Sequence, residues 1–141
     1  KYVAPSSVEE ATSLLSTSPS AQVFAGATDV VPQLRAGRSA PEVLVDLKKI
    51  EELVSIVKDD TKWTVGAATP TANLTEDQAF SEEFQGLSEA AGLIGSDQIQ
   101  NRSSLGGNLC NGHGCEGLNH TPPADQCEGN CCRVAHHRTP H

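Results

Sequence analysis

The stretch from Gln22 to Asp46 limits the fold more than any other part of this chain. Gln22-Val23-Phe24-Ala25 reads as a buried strand that runs into a loop of small residues, Ala25-Gly26-Ala27-Thr28-Asp29. A short helix follows through Val30, Val31 and Leu34 to Gly37, with Thr28 or Asp29 as its N-cap. Pro32 falls in the first turn, where proline is tolerated. Val43-Leu44-Val45-Asp46 then reads as a second strand. Strand, helix and strand in so short a span predict a small βαβ unit, because parallel strands need a crossover between them.

The flanking segments extend this α/β reading. Tyr2-Val3-Ala4-Pro5 is an extended entry, and Ser7-Val8-Glu9-Glu10 matches a capping box. Val8, Ala11, Leu14 and Leu15 form the apolar stripe of the helix it starts. Leu53 to Val57 and Trp63 to Gly66 flank the Asp-rich turn Lys58-Asp59-Asp60-Thr61-Lys62, a hairpin signal. Thr69-Pro70-Thr71 breaks the chain. Thr75 is read as the cap of a short helix holding Gln78 and Phe80, and a further helix runs from Phe84 through Leu87 to Ala91. Ser96 caps a short turn holding Ile99, and the chain enters a second small-residue loop, Ser103-Ser104-Leu105-Gly106-Gly107-Asn108.

Composition excludes several function classes. A formal charge of −8 over 141 residues argues against nucleic-acid binding, which normally shows a basic face. No run approaches the ~18–20 apolar residues of a membrane span. Lys1 is not methionine, which implies a trimmed start, and no apolar leader follows it. All five cysteines and all five histidines lie at or after Cys110. An odd number of clustered cysteines fits a disulfide framework poorly and points to a cytoplasmic chain.

Alone, Ala25–Asp29 reads as a strand-to-helix turn and Gly106-Gly107 as a plain turn. Together they suit an anion. Small residues let backbone N–H groups approach closely, and few cations lie near either loop in sequence. A phosphate there is met by backbone dipoles, Ser and Thr hydroxyls and a helix N-terminus. Asp29 carries the wrong charge for a phosphate, so it is assigned to capping or to a sugar hydroxyl. Asn108 can both donate and accept, so it fixes the loop or binds a ligand. Trp63 reads as a half-buried strand residue, and Arg35 and Arg38 as solvated cations at a helix end.

Residues 2–111 resemble the FAD-binding domain (PCMH type) of the medium subunit of molybdenum hydroxylases, the group of carbon monoxide dehydrogenase and xanthine dehydrogenase. The resemblance rests on Tyr2-x-x-Pro5, Ala25-Gly26-Ala27-Thr28-Asp29, and Val45-Asp46-Leu47 with Ile50 and Leu53. It continues in Val65-Gly66-Ala67, Leu87 to Ala91, and above all Ile94 to Asn101 followed by Ser104-Leu105-Gly106-Gly107-Asn108-Leu109. It implies a two-lobe α/β (α+β) fold with FAD extended between the lobes. Residues 1–56 would be the small N-terminal lobe, and residues 57–111 the start of a second, incomplete one. By position, Ala25, Gly26, Ala27, Thr28 and Asp29 would lie along the pyrophosphate and ribityl side. Ser104, Leu105, Gly106, Gly107 and Asn108 would complete the pyrophosphate cradle. The implied role is electron transfer: iron–sulfur centres on a small subunit relay electrons from a molybdenum-binding large subunit, with its molybdopterin, to FAD and on to an external acceptor. No catalytic side chain is assigned. The family usually has glycine where Ala27 stands. If that residue needs positive φ, alanine costs on the order of 1 kcal/mol.

Rival readings fit less well. A covalent flavin oxidase would want a histidine in the first loop, and none precedes His113. A nicotinamide Rossmann domain would want G-x-G-x-x-G after a strand. A metal module would draw on Cys110, Cys115, Cys127, Cys131 and Cys132 with the histidines, but these form no paired C-x-x-C knuckles and two are adjacent. Residues 112–141 show no helical or strand period. Read one base forward, their possible codons permit an Ala-rich, Asp-Ser, Pro-Leu-Leu and Val-rich run like that of the family. A reading frame slipped near Asn111 is therefore expected, with an isolated chain that binds FAD weakly or not at all and turns nothing over.

Overall fold

The computed structural model describes residues 1–111, so the expectations for the Cys- and His-bearing tail lie outside the described residues. The chain forms two compact units, one of Lys1–Thr69 and one beginning at Pro70.

The first unit is built on a three-stranded parallel sheet of β1 (Tyr2–Val3), β2 (Ala21–Phe24) and β3 (Val43–Asp46), in the order β1-β3-β2. In register, Tyr2 faces Leu44 and Val3 faces Val45, while Ala21 to Phe24 face Val43 to Asp46. Helix α1 (Val8–Thr17) links β1 to β2, and α2 (Val30–Arg35) links β2 to β3. The predicted βαβ unit is present, with β3 as the middle strand. The Ser7 hydroxyl accepts from Glu10 N at 3.2 Å, as a capping box requires. The Glu10 carboxylate reaches back one residue further than that motif, accepting from Ser6 N at 3.0 Å. Ala11, Val45 and Ile50 form the core, with Val8, Leu14, Ala21, Val43, Leu47 and Leu53 packed around them. α1 thus buries the stripe read from sequence, apart from Leu15, which is exposed.

Two single turns of 3-10 helix, Leu47–Lys49 and Glu51–Leu53, lead into the antiparallel hairpin β4 (Ile56–Lys58) and β5 (Trp63–Val65). One Asp59 oxygen accepts from Thr61 N, the Thr61 hydroxyl and Lys62 N, which closes the turn. Those bonds hold the Asp59 carboxyl below the usual carboxylate range, led by the one from Thr61 N. Trp63 is half-buried, with the Lys58 ammonium 4.8 Å from its ring centroid. Gly66 N donates to Ser55 O at 2.8 Å and Ala68 N to Leu53 O at 2.7 Å, binding the hairpin's exit to the segment before it. The break between units therefore follows the hairpin rather than preceding it.

The second unit is helical: α3 (Thr71–Glu76), α4 (Gln78–Glu83), α5 (Gln85–Gly92), α6 (Asp97–Gln100) and α7 (Leu105–Asn111). Leu74, Phe80, Ala72, Ala90 and Ala91 are buried. Ser81 and Ser88 hydroxyls both donate to Leu74 O, at 2.9 and 3.3 Å, and so join three helices through one carbonyl. Two expectations need correcting. Asp77, not Thr75, caps the helix of Phe80: its carboxylate accepts from Phe80 N at 2.9 Å, while the Thr75 hydroxyl turns back within α3 to Ala72 O. Ser103–Asn108 is not a loop throughout, because the helix α7 begins at Leu105.

Candidate functional site

Ala25–Asp29 leaves the sheet directly after Phe24, which pairs with Asp46 at the end of β3. It therefore stands at the carboxyl edge of parallel strands, where open α/β sheets hold their ligands. Gly26 is buried and its four neighbours are half-buried. Ala27 has φ 59°, and among the described residues it is the one non-glycine with positive φ. The glycine-like conformation expected of this position is thus real, and alanine adopts it. Left-handed residues at such turns shape the amide concavities that bind anions. Val31 N donates to Ala27 O at 3.1 Å and Gln33 N to Asp29 O at 3.0 Å, which winds the loop into α2. Asp29 takes the N-cap position, with no side-chain cap bond.

The loop is also held by residues that sequence reasoning left without a role. Lys48 Nζ donates to Ala25 O at 2.8 Å and to Asp46 Oδ2 at 2.9 Å. It also lies 4.9 Å from the Phe24 ring centroid. Asp46 is buried; its Oδ1 accepts from Lys48 N at 3.0 Å and its Oδ2 from the Tyr2 hydroxyl at 2.6 Å. Burial alone would raise the Asp46 pKa. The Tyr2 hydroxyl, the Lys48 amide and the Lys48 ammonium together outweigh it and hold the carboxyl below its ordinary range. The same hydrogen bond to Asp46, helped by burial and by the carboxylate's charge, raises the Tyr2 phenol. A charged residue ending a buried strand, with a lysine two positions on, was the available signal for this pair. Arg38, beyond the end of α2, turns back onto that helix, Nη1 donating to Gln33 Oε1.

The second segment is fixed within its own unit. Ser104 forms an isolated antiparallel bridge with Pro70 and then caps α7: Gly107 N donates to its Oγ at 3.2 Å and Asn108 N to its carbonyl at 3.0 Å. Gly106 and Gly107 thus occupy the first helical turn. A β-carbon on Gly107 would sit 2.7 Å from Ser104 Oγ. Ser103 and Ser104 are buried, Leu105, Gly106 and Asn108 half-buried, and Gly107 exposed. Thr71 N donates to Ser103 O at 2.9 Å, and the Thr71 and Ser103 hydroxyls are 2.7 Å apart. The Thr71 hydroxyl also donates to Gln100 O at 3.2 Å, so its one proton is committed and Ser103 is the donor of the pair.

Both segments therefore fit an anionic dinucleotide in their chemistry: small residues, a left-handed turn, a hydroxyl-capped helix start with a bare glycine beside it. Each set of five residues is contiguous within its own unit.

Residues 1–125 match the family described as the FAD binding domain in molybdopterin dehydrogenase. The chain is 39% identical over 109 residues to the 6-hydroxypseudooxynicotine dehydrogenase complex subunit alpha of Paenarthrobacter nicotinovorans, spanning 77% of this chain and 37% of that protein. It is 34% identical over 114 residues to the carbon monoxide dehydrogenase medium chain of Hydrogenophaga pseudoflava, spanning 80% of this chain and 40% of that one. The solved carbon monoxide dehydrogenase of that organism, in a form lacking the Mo-pyranopterin moiety, superposes with a TM-score of 0.76 at 33% identity, over 79% of this chain and 39% of its own. The chain thus spans about two fifths of the length of these relatives.

Proposed function

The chain belongs to the family of FAD-binding domains of molybdopterin dehydrogenases, and on that premise we propose that its two small-residue segments hold the pyrophosphate of FAD. Ala25, Gly26, Ala27, Thr28 and Asp29 take the pyrophosphate and ribityl side. Ser104, Leu105, Gly106, Gly107 and Asn108 are proposed as the further pyrophosphate contacts. The observation that carries this reading is the left-handed turn at Ala27, at the carboxyl edge of a parallel sheet. A bulkier or right-handed residue there would withdraw the amides from an approaching phosphate.

The role is that of an electron-transfer subunit of a molybdenum-containing hydroxylase or dehydrogenase, an FAD-dependent oxidoreductase. FAD held by these residues would supply the electron relay between iron–sulfur centres and an external acceptor. This chain's residues bind and orient it, and none is assigned a catalytic step. The partners are a molybdopterin-carrying large subunit and a [2Fe–2S] small subunit, in keeping with relatives named as a medium chain and a complex subunit. A cytoplasmic setting is proposed with this role. No helix among the described residues is long and apolar enough to cross a membrane.

The test is titration of the full chain with FAD, followed by flavin fluorescence quenching. Saturable but weak binding is expected, because a large cofactor is bound tightly only by contacts preordered along its whole length. Gly107→Asp, which adds both a side chain and a like charge, is expected to weaken it further. Quenching unchanged by that substitution overturns the assignment of the second segment. A second reading, a fragment that has lost its cofactor, is favoured by the two-fifths coverage of the relatives. No saturable quenching at all decides for it.

A further inference from the structure

We propose that Lys48 is a positioning residue for the first pyrophosphate loop: with Asp46 and Tyr2 it forms a latch that holds the left-handed turn at Ala27 in place. The inference rests on the FAD reading for its purpose, but the latch itself is a matter of geometry. A non-glycine residue persists at positive φ only where its surroundings over-determine it. At Ala27 the exit side is held by α2, whose Val31 N donates to Ala27 O. On the entry side the β2–β3 pairing ends at the Phe24–Asp46 pair, leaving the Ala25 carbonyl beyond the ladder. The Lys48 ammonium takes over there, at 2.8 Å.

That ammonium is not free to swing. Asp46 Oδ2 binds it at 2.9 Å, Asp46 Oδ1 binds the Lys48 amide at 3.0 Å, and the Tyr2 hydroxyl fixes the carboxylate from β1 at 2.6 Å. Residues of β1 and β3 thus fix, through Asp46, the one ammonium that holds the loop carbonyl after β2. Asp46 also largely neutralises the lysine, so orientation of the loop, rather than attraction of the phosphate charge, is the lysine's contribution.

The experiment uses the full chain and four variants: Lys48→Met, Lys48→Arg, Ala27→Gly and the double Lys48→Met/Ala27→Gly. Hydrogen exchange of amides 25–29 is measured without FAD, and FAD affinity at low and high salt. Lys48→Met removes a charge-assisted bond while keeping an unbranched stem, and is expected to speed exchange in the loop and weaken FAD about tenfold. Lys48→Arg is expected to recover most of the loss. Ala27→Gly in the Lys48→Met background is also expected to recover much of it, since the strain needing a latch is gone. Unchanged loop exchange in Lys48→Met overturns the latch. So does an affinity loss that Ala27→Gly fails to rescue and that shrinks with added salt, which would mark a direct phosphate contact. If the unaltered chain takes up no FAD, the FAD reading fails by itself and the exchange measurement still decides the latch.

Discussion

At the scale of single residues, Ala27 sets a local strain, and Asp46 and Tyr2 set opposite ends of the pH dependence. Ala27 has a left-handed backbone that glycine would adopt without strain. Ala27→Gly is therefore expected to raise stability by roughly 0.5–1 kcal/mol, the relief of the left-handed penalty less the entropy glycine adds to the unfolded chain. Urea unfolding monitored by Trp63 fluorescence reads this. Asp46 makes stability depend on pH. Its folded-state pKa is lowered, so its contribution stands in full above the ordinary aspartate range, about 4, and is lost as pH falls through the lowered value. Tyr2 acts at the other end. Its raised phenol contributes below about 10 and loses that contribution as pH climbs through the raised value. Asp46→Asn is expected to flatten the acid limb of a stability–pH curve, and Tyr2→Phe the alkaline limb. An acid limb unchanged in Asp46→Asn would assign it to other carboxylates.

At the scale of elements, the chain's own periods located the sheet, α1, α2 and the hairpin, because their signals are local: apolar runs, a capping box, an Asp-rich turn. What escaped was decided by partners distant in sequence. α3 was hidden because Thr71, buried at its start, is satisfied by Ser103 and Gln100, far along the chain. Gly106-Gly107 looked like a turn because glycine disfavours helix by about 1 kcal/mol per residue. The cap and bridge made by Ser104 prevail there. Of the candidate site, the two segments were named from sequence as proposed cofactor contacts, whereas Lys48 was not, since only folding brings it to Ala25. Two glycines carry element-scale predictions. A β-carbon on Gly66 would strike the Leu53 carbonyl group and lie 2.8 Å from Val54 N, all backbone that cannot yield. Gly66→Ala is expected to destabilise by about 2 kcal/mol or more, measured as a lowered urea midpoint. Gly107→Ala meets only the Ser104 hydroxyl: the displaced cap costs about 1 kcal/mol and alanine's better helix propensity returns about as much, so a nearly unchanged urea midpoint is expected.

At the scale of the whole molecule, the units differ in how their contacts are spread along the chain. The helical unit mixes near contacts, as in Ser81 and Ser88 on Leu74 O, with the long-range tie of Thr71 to Ser103, while the sheet unit is held by strand pairing between distant segments. The middle position of β3 has a consequence for synthesis. β1 and β2 are made first, yet neither pairs with the other; each waits for β3, the last of the sheet's three strands to leave the ribosome. Until Asp46 clears the exit tunnel there is no sheet, and until Lys48 follows nothing holds the Ala25 carbonyl. Chains are made at about 5–20 residues per second, so the nascent segment spends seconds as two unpaired strands. Arrest-peptide force profiling on stalled chains of increasing length should show no folding tension while β3 is still inside the tunnel, and a single rise once the segment through Leu53 has emerged. The Ala25–Asp29 loop is thus translated early and shaped late, by the residues that follow it out.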